Sequence, residues 1–98
     1  MLFHVKMVVN IPHDFDKKQA DEVKLREKEY SRKLQESGKW IDIWRIVGEY
    51  ANISIFEVND LDELHQILSN LPLFSFMKIK VTPLCQHPSS IKINNPKK

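Results

Sequence analysis

Two hydrophobic periodicities follow one another along this chain in an order that few folds can satisfy. Residues 2–11 (LFHVKMVVNI) set Phe3, Val5, Met7, Val9 and Ile11 on one side and Leu2, His4, Lys6 and Val8 on the other. A period of two with one apolar and one mixed face predicts a β-strand, which Pro12 closes. Residues 17–37 then change period. Ala20, Val23, Glu27, Tyr30 and Leu34 are separated by steps of three and four, which marks one face of a helix. Asp14 or Asp16 is placed to cap its start, acidic residues come early, Lys28, Arg32 and Lys33 come later, and Gly38 stands just past its end. Residues 40–47 (WIDIWRIV) and 50–58 (YANISIFEV) are rich in β-branched and aromatic types and predict a hairpin turning at Gly48-Glu49. Asp60 with Glu63 forms a cap for a second helix carrying Leu61, Leu64, Ile67, Leu68 and Leu71, which Pro72 stops. Residues 76–84 (FMKIKVTPL) predict a fourth strand, and the tail from Gln86, above all from about residue 92, reads as extended or frayed.

The order βαββαβ is the split βαβ arrangement of ferredoxin-like α+β proteins. Right-handed crossovers put both helices on one face of a four-stranded sheet. The other face is left bare, and plain alternation assigns Trp40 and Trp44 to it. A leftover face with large side chains predicts a partner, most simply a second copy packed sheet to sheet in a dimeric α/β-barrel.

Composition narrows the function classes. Ninety-eight residues make one domain, spanning 1–98, with one modest core. Apolar content of 42% and charged content of 29% are those of a globular chain. A net charge of +2 without a basic block gives no case for nucleic acid. No apolar run is long enough to span a bilayer, and His4 and Lys6 interrupt the only stretch resembling a signal sequence. One cysteine, Cys85, excludes an internal disulfide and fits a reducing compartment, so a cytoplasmic location is expected. The four histidines and Cys85 lack metal-ligand spacing, and two glycines cannot build a phosphate-cradling loop.

Glu27 is the anomaly. Four positions of the helical stripe suit a core and the fifth is a carboxylate. Burial disfavours its charged form and raises its pKa toward a range where it both takes and gives a proton. The competing reading rotates the helix slightly and pairs Glu27 with Lys24 or with solvent.

The chain also resembles a known family. Met1-Leu2-Phe3-His4-Val5-Lys6-Met7, Trp44-Arg45-Ile46, Tyr50-Ala51-Asn52, Leu71-Pro72-Leu73-Phe74, Leu84-Cys85 and His87-Pro88-Ser89-Ser90-Ile91 resemble, in order and spacing, blocks of the muconolactone Δ-isomerases. Lys24, Glu27 and Lys28 fit the same pattern. The resemblance implies a ferredoxin-like fold, dimers through the sheets, a homodecamer, no cofactor, and conversion of muconolactone to 3-oxoadipate enol-lactone in bacterial catechol degradation, the β-ketoadipate pathway. Two positions depart from it: Glu49 stands where a histidine is expected, and Gln86 where an arginine precedes His87. They leave open a methylated or chlorinated lactone, a dehalogenase, or a noncatalytic oligomer that binds a small acid.

The implied chemistry assigns roles to residues. Moving one proton from C4 to C2 of an unsaturated lactone requires a base beside both carbons, a donor for the carbonyl oxygen, and a cation for the carboxymethyl arm. Glu27 is the expected base. Arg45, among aliphatic residues of the second strand, is either a clamp for the carboxylate or half of a structural ion pair. Lys24, one turn from Glu27, holds the arm or pairs with Glu27. Tyr50 and Asn52 are candidate donors to the oxygen, or structural strand-end residues. His87 and Ser89 either reach over a site, plausibly a neighbouring subunit's, or pin the oligomer.

Overall fold

The computed structural model describes residues 1–94. Strand β1 is Leu2–Val9, helix α1 Lys17–Glu36, strand β2 Trp40–Arg45, strand β3 Ala51–Glu57, helix α2 Leu61–Ser69 and strand β4 Met77–Leu84. A single 3₁₀ turn, Phe74–Phe76, leads into β4, and a short helix α3, Ile91–Asn94, ends the described chain. Lys92 therefore lies in a helical turn, while the expected fraying beyond Asn94 concerns residues outside the described ones. The βαββαβ order is as expected. The strands form one antiparallel sheet in the order β2-β3-β1-β4, the ferredoxin-like arrangement.

The expected alternation holds from Leu2 to Val9, and the strand stops there, leaving Ile11 outside it and half-buried. Phe3, Val5, Met7 and Val9 are buried, and the first three meet Phe56 of β3, Leu64, Ile67 and Leu68 of α2, and Tyr30 and Leu34 of α1 in one core. Both helices thus cover the same sheet face. On α1 the five stripe residues turn inward, Glu27 among them, and Asp16 caps the helix by accepting from the Gln19 N–H. The acidic residues expected early are absent from its first turn, which reads Lys-Lys-Gln-Ala, so Asp16 alone supplies the anion at that end. In α2 Asp60 accepts from the Glu63 N–H while Glu63 reaches back to the Asn59 N–H, a variant of the capping box.

One expectation fails, for a definite reason. Trp40 lies in the core, 2% exposed, against Phe56, rather than on the bare face. The register shifts between Trp40 and Asp42: Trp40 pairs with Phe56, whereas Asp42 pairs with Ile55. This bulge reverses the alternation, because a one-residue slip exchanges the faces of a strand. Trp40, Ile43 and Arg45 consequently share the helix-covered side. Trp44 stays on the bare side, 66% exposed, beside Ile53 and Lys6. The bare face is mixed: its register rows combine Leu2, Val8, Ile53, Ile55 and Leu84 with His4, Lys6, Lys78 and Lys80.

Candidate active site

Between α1 and the β2–β3 end of the sheet lies a cavity of about 180 Å³. Glu27, Lys24, Lys28 and Ser31 come from α1, Trp40, Ile43 and Arg45 from β2, and Ala51 and Asn52 from β3. Tyr50, Leu73, Val9 and Met77 complete the wall. Five of the seven residues singled out from sequence therefore converge: Glu27, Lys24, Arg45, Tyr50 and Asn52. His87 and Ser89 lie beyond β4, exposed, and do not line this cavity; the Ser89 N–H donates to His87 Nδ1. Glu49 sits in the β2–β3 turn, where its N–H donates to the Ile46 carbonyl, and it does not line the cavity either. Among the described residues Glu27 is the sole carboxylate in the lining.

Glu27 is half-buried and accepts one hydrogen bond, from the Leu73 N–H at 2.9 Å. Burial raises its pKa above the ordinary carboxylate value, and the Leu73 bond offsets part of that rise. The ion pairs among the described residues join the Met1 amino group to Glu57, Arg32 to Glu36 and Lys39 to Glu63. Glu27 takes part in none, so the pairing with Lys24 that a rotated helix would give does not form. Beneath Glu27, the Tyr30 hydroxyl donates to the Ile67 carbonyl at 3.0 Å. Burial, and then the Glu27 charge, push the Tyr30 pKa up. That hydroxyl is thus held as a neutral strut between the helices.

The cations gather around one ring. Lys24 Nζ lies 5.9 Å and Arg45 Cζ 5.6 Å from the centroid of Tyr50. Both distances are in cation–π range, and neither cation has a carboxylate partner among the described residues. The structural ion-pair reading of Arg45 accordingly fails. Asn52 is held by the Ser54 hydroxyl, which donates to its carbonyl oxygen at 2.7 Å, while its amide nitrogen faces the Met7 sulfur at 3.8 Å. Trp40 closes the wall with an indole N–H that is buried without a partner. Such a donor costs ~1–3 kcal/mol.

Sequence reasoning missed Leu73, Trp40 and Ser31. Leu73 contributes only its backbone N–H, which no side-chain pattern marks. Trp40 was hidden by the bulge. Ser31, one turn beyond Glu27, carried a legible signal in its spacing. Chemically, the arrangement offers one carboxylate poised to exchange a proton and three cations, Lys24, Lys28 and Arg45, to hold an anion, in a space suited to a ligand smaller than the ~300 Å³ typical of drug-sized pockets.

A four-stranded antiparallel sheet with both helices on one face, and the site under the first of them, defines a ferredoxin-like α+β protein of the dimeric α/β-barrel type. The muconolactone delta-isomerase family matches residues 1–90. A muconolactone Delta-isomerase 1 of Acinetobacter lwoffii is 67% identical, covering 94% of this chain and 96% of the relative. That of Cupriavidus pinatubonensis is 60% identical, covering 94% and 100%. A crystal structure of muconolactone isomerase superposes with a TM-score of 0.89 at 52% identity, covering 93% of this chain and 95% of that one. A 5-chloro-2-hydroxyhydroquinone dehydrochlorinase from Burkholderia phenoliruptrix, at 17% identity and a TM-score of 0.66, shares the fold. The chain belongs to the muconolactone delta-isomerase family.

The direction of the Glu27 shift fixes a stability prediction. A folded-state pKa above the unfolded one means that folding favours the protonated acid. The group's contribution is fully present below the unfolded carboxylate pKa and is lost as pH rises through the raised folded value. At neutral pH the ionised Glu27 therefore opposes folding. Glu27→Gln should unfold at a higher urea concentration than the native protein at neutral pH, at equal protein concentration. The gap should close as pH falls into the carboxylate range. A gap that widens on acidification would mean that the charged form is the stabilised one.

Proposed function

We propose that this protein isomerises muconolactone to 3-oxoadipate enol-lactone, a step in bacterial catechol degradation by the β-ketoadipate pathway, with Glu27 as the single acid–base group. The observation that carries the reading is the unpaired, half-buried Glu27 on a cavity also lined by Lys24 and Arg45, neither of which has a carboxylate partner among the described residues. Glu27 takes the C4 proton. The C–H pair forms the C3–C4 double bond, the C2–C3 pair moves to C1–C2, and the charge comes to rest on the carbonyl oxygen. The carbonyl then re-forms, C2 takes the proton back from Glu27, and the double bond remains at C3–C4. Atoms and electrons balance within the substrate and one carboxylate, so no cofactor takes part. Lys24 and Arg45 hold the carboxymethyl arm, with Tyr50 orienting both through its ring. The names and extent of similarity of the relatives support the same substrate.

Purified protein should convert muconolactone with a change in ultraviolet absorbance as the conjugated double bond moves. The kcat/KM should climb as pH rises through the raised pKa of Glu27, because the base must be ionised to act. No turnover of muconolactone at any pH would overturn the reading.

The bare sheet face supports assembly by the same reading. Trp44, Ile53, Ile55 and Leu84 lie there outside the core. Two copies pack these faces together, and the family resemblance extends the dimer to a decamer. His87 and Ser89, off their own chain's cavity, are then placed to approach a neighbour's. Sedimentation should show at least a dimer, and Trp44→Glu should shift it toward smaller species. A native monomer at micromolar concentration would contradict the assembly.

A further inference from the structure

Trp40 combines two properties that together call for a role. It lines the same cavity as Glu27, and among the described residues its indole Nε1 is the buried side-chain polar atom left without a hydrogen-bond partner. Native proteins rarely leave such a group unpaired, and a buried tryptophan N–H ordinarily finds an acceptor. A phenylalanine at this position would stack on Phe56 without that cost. The bulge in β2 is what brings Trp40 onto the cavity side, and bulges recur where a side chain is re-aimed at a site.

The polar groups nearby are engaged elsewhere. Ser31 donates its hydroxyl proton to the Lys28 carbonyl, Tyr30 to the Ile67 carbonyl, and the Asn52 amide lies between Ser54 and the Met7 sulfur. Yet the isomerisation puts a full negative charge on the lactone carbonyl oxygen, where a preorganised donor is worth most. We propose that the Trp40 indole N–H donates to that oxygen and stabilises the dienolate. This rests on the isomerase reading of the site. An indole N–H suits the task because it donates only, so it never competes with Glu27 for the migrating proton. Without a hydrogen-bond partner in the free protein, it has none to give up when the substrate's oxygen arrives.

The test removes the N–H and keeps the shape. Site-specific incorporation of 3-benzothienylalanine at position 40 replaces the N–H by sulfur, and Trp40→Phe is made beside it. Each is measured on muconolactone for kcat, KM and urea midpoint, with Glu27→Gln as the control. The expected result is a fall in kcat of ~100-fold or more, the loss seen when one oxyanion donor is removed, with KM little changed. The urea midpoint of the benzothienyl protein should stay level or rise, because an unpaired donor has gone. Turnover near the native value in the benzothienyl protein overturns the proposal. So does a fall in kcat that comes with a lowered midpoint, since Trp40 would then be structural. If the native protein itself turns over no muconolactone, the fault lies instead with the isomerase reading.

Discussion

Glu27→Gln should leave the protein folded and assembled but lower kcat on muconolactone by at least ~100-fold, the lower end for losing a general acid–base group. Glutamine keeps the size of the side chain and an oxygen to accept the Leu73 N–H, so the helix and the 72–73 segment have no reason to move. It removes the only carboxylate that the described residues contribute to the cavity lining. And the lining offers no second carboxylate to take over among the described residues, while Tyr30, packed beneath Glu27, has its hydroxyl bound to Ile67 and its pKa raised. The same substitution should raise stability at neutral pH. Activity and stability moving in opposite directions is a signature that a purely structural glutamate would not give. A variant with near-native turnover would remove Glu27 from the mechanism.

The second large effect concerns the substrate's arm. Neutralising Arg45 or Lys24, as Arg45→Gln or Lys24→Gln, should mainly raise KM for muconolactone. One charge-assisted contact is worth ~1.5–3 kcal/mol, which is roughly tenfold to a hundredfold. The methyl ester lacks the anion, so it should be a poor substrate for the native enzyme and be little affected by either substitution. The comparison is a double-mutant cycle with the substrate as one partner. The structure favours this outcome over a structural role, because neither cation meets a carboxylate among the described residues and both flank Tyr50. Equal losses on acid and ester would place the cation on the dienolate oxygen that both substrates share.

The parts of the molecule that sequence made legible are those governed by local periodicity. The β1 faces followed from Phe3, Val5, Met7 and Val9, and the α1 stripe from Ala20 through Leu34, because strand and helix repeats are fixed by backbone geometry. Glu27 stood out for the same reason: a charge on an apolar stripe breaks the pattern. What escaped were non-periodic features. The bulge after Trp40 has no side-chain signature, and it moved Trp40 from the expected bare face into the core beside the site. The Leu73 N–H that holds Glu27 belongs to the backbone of a segment distant in sequence and is brought there by tertiary packing. The placement of Arg45 next to Tyr50 depends on the same bulged strand, so the spacing of residues alone does not separate clamp from ion pair. His87 and Ser89 illustrate a different boundary: they lie exposed beyond β4, off their own chain's cavity, so within one chain they meet none of the other candidate residues.

The central claim, that one carboxylate both removes and returns the proton, has a direct stereochemical test. A single base above one ring face must deliver hydrogen to C2 on the face from which it left C4. Muconolactone of known C4 configuration is isomerised in deuterium oxide, and the configuration of the deuterium at C2 of the enol-lactone is read by NMR. The account predicts deuterium on the departing face, and C4-deuterated substrate in ordinary water should carry some of its label to that same position. Deuterium delivered to the opposite face would require a second acid across the ring and would contradict Glu27 as the sole acid–base group.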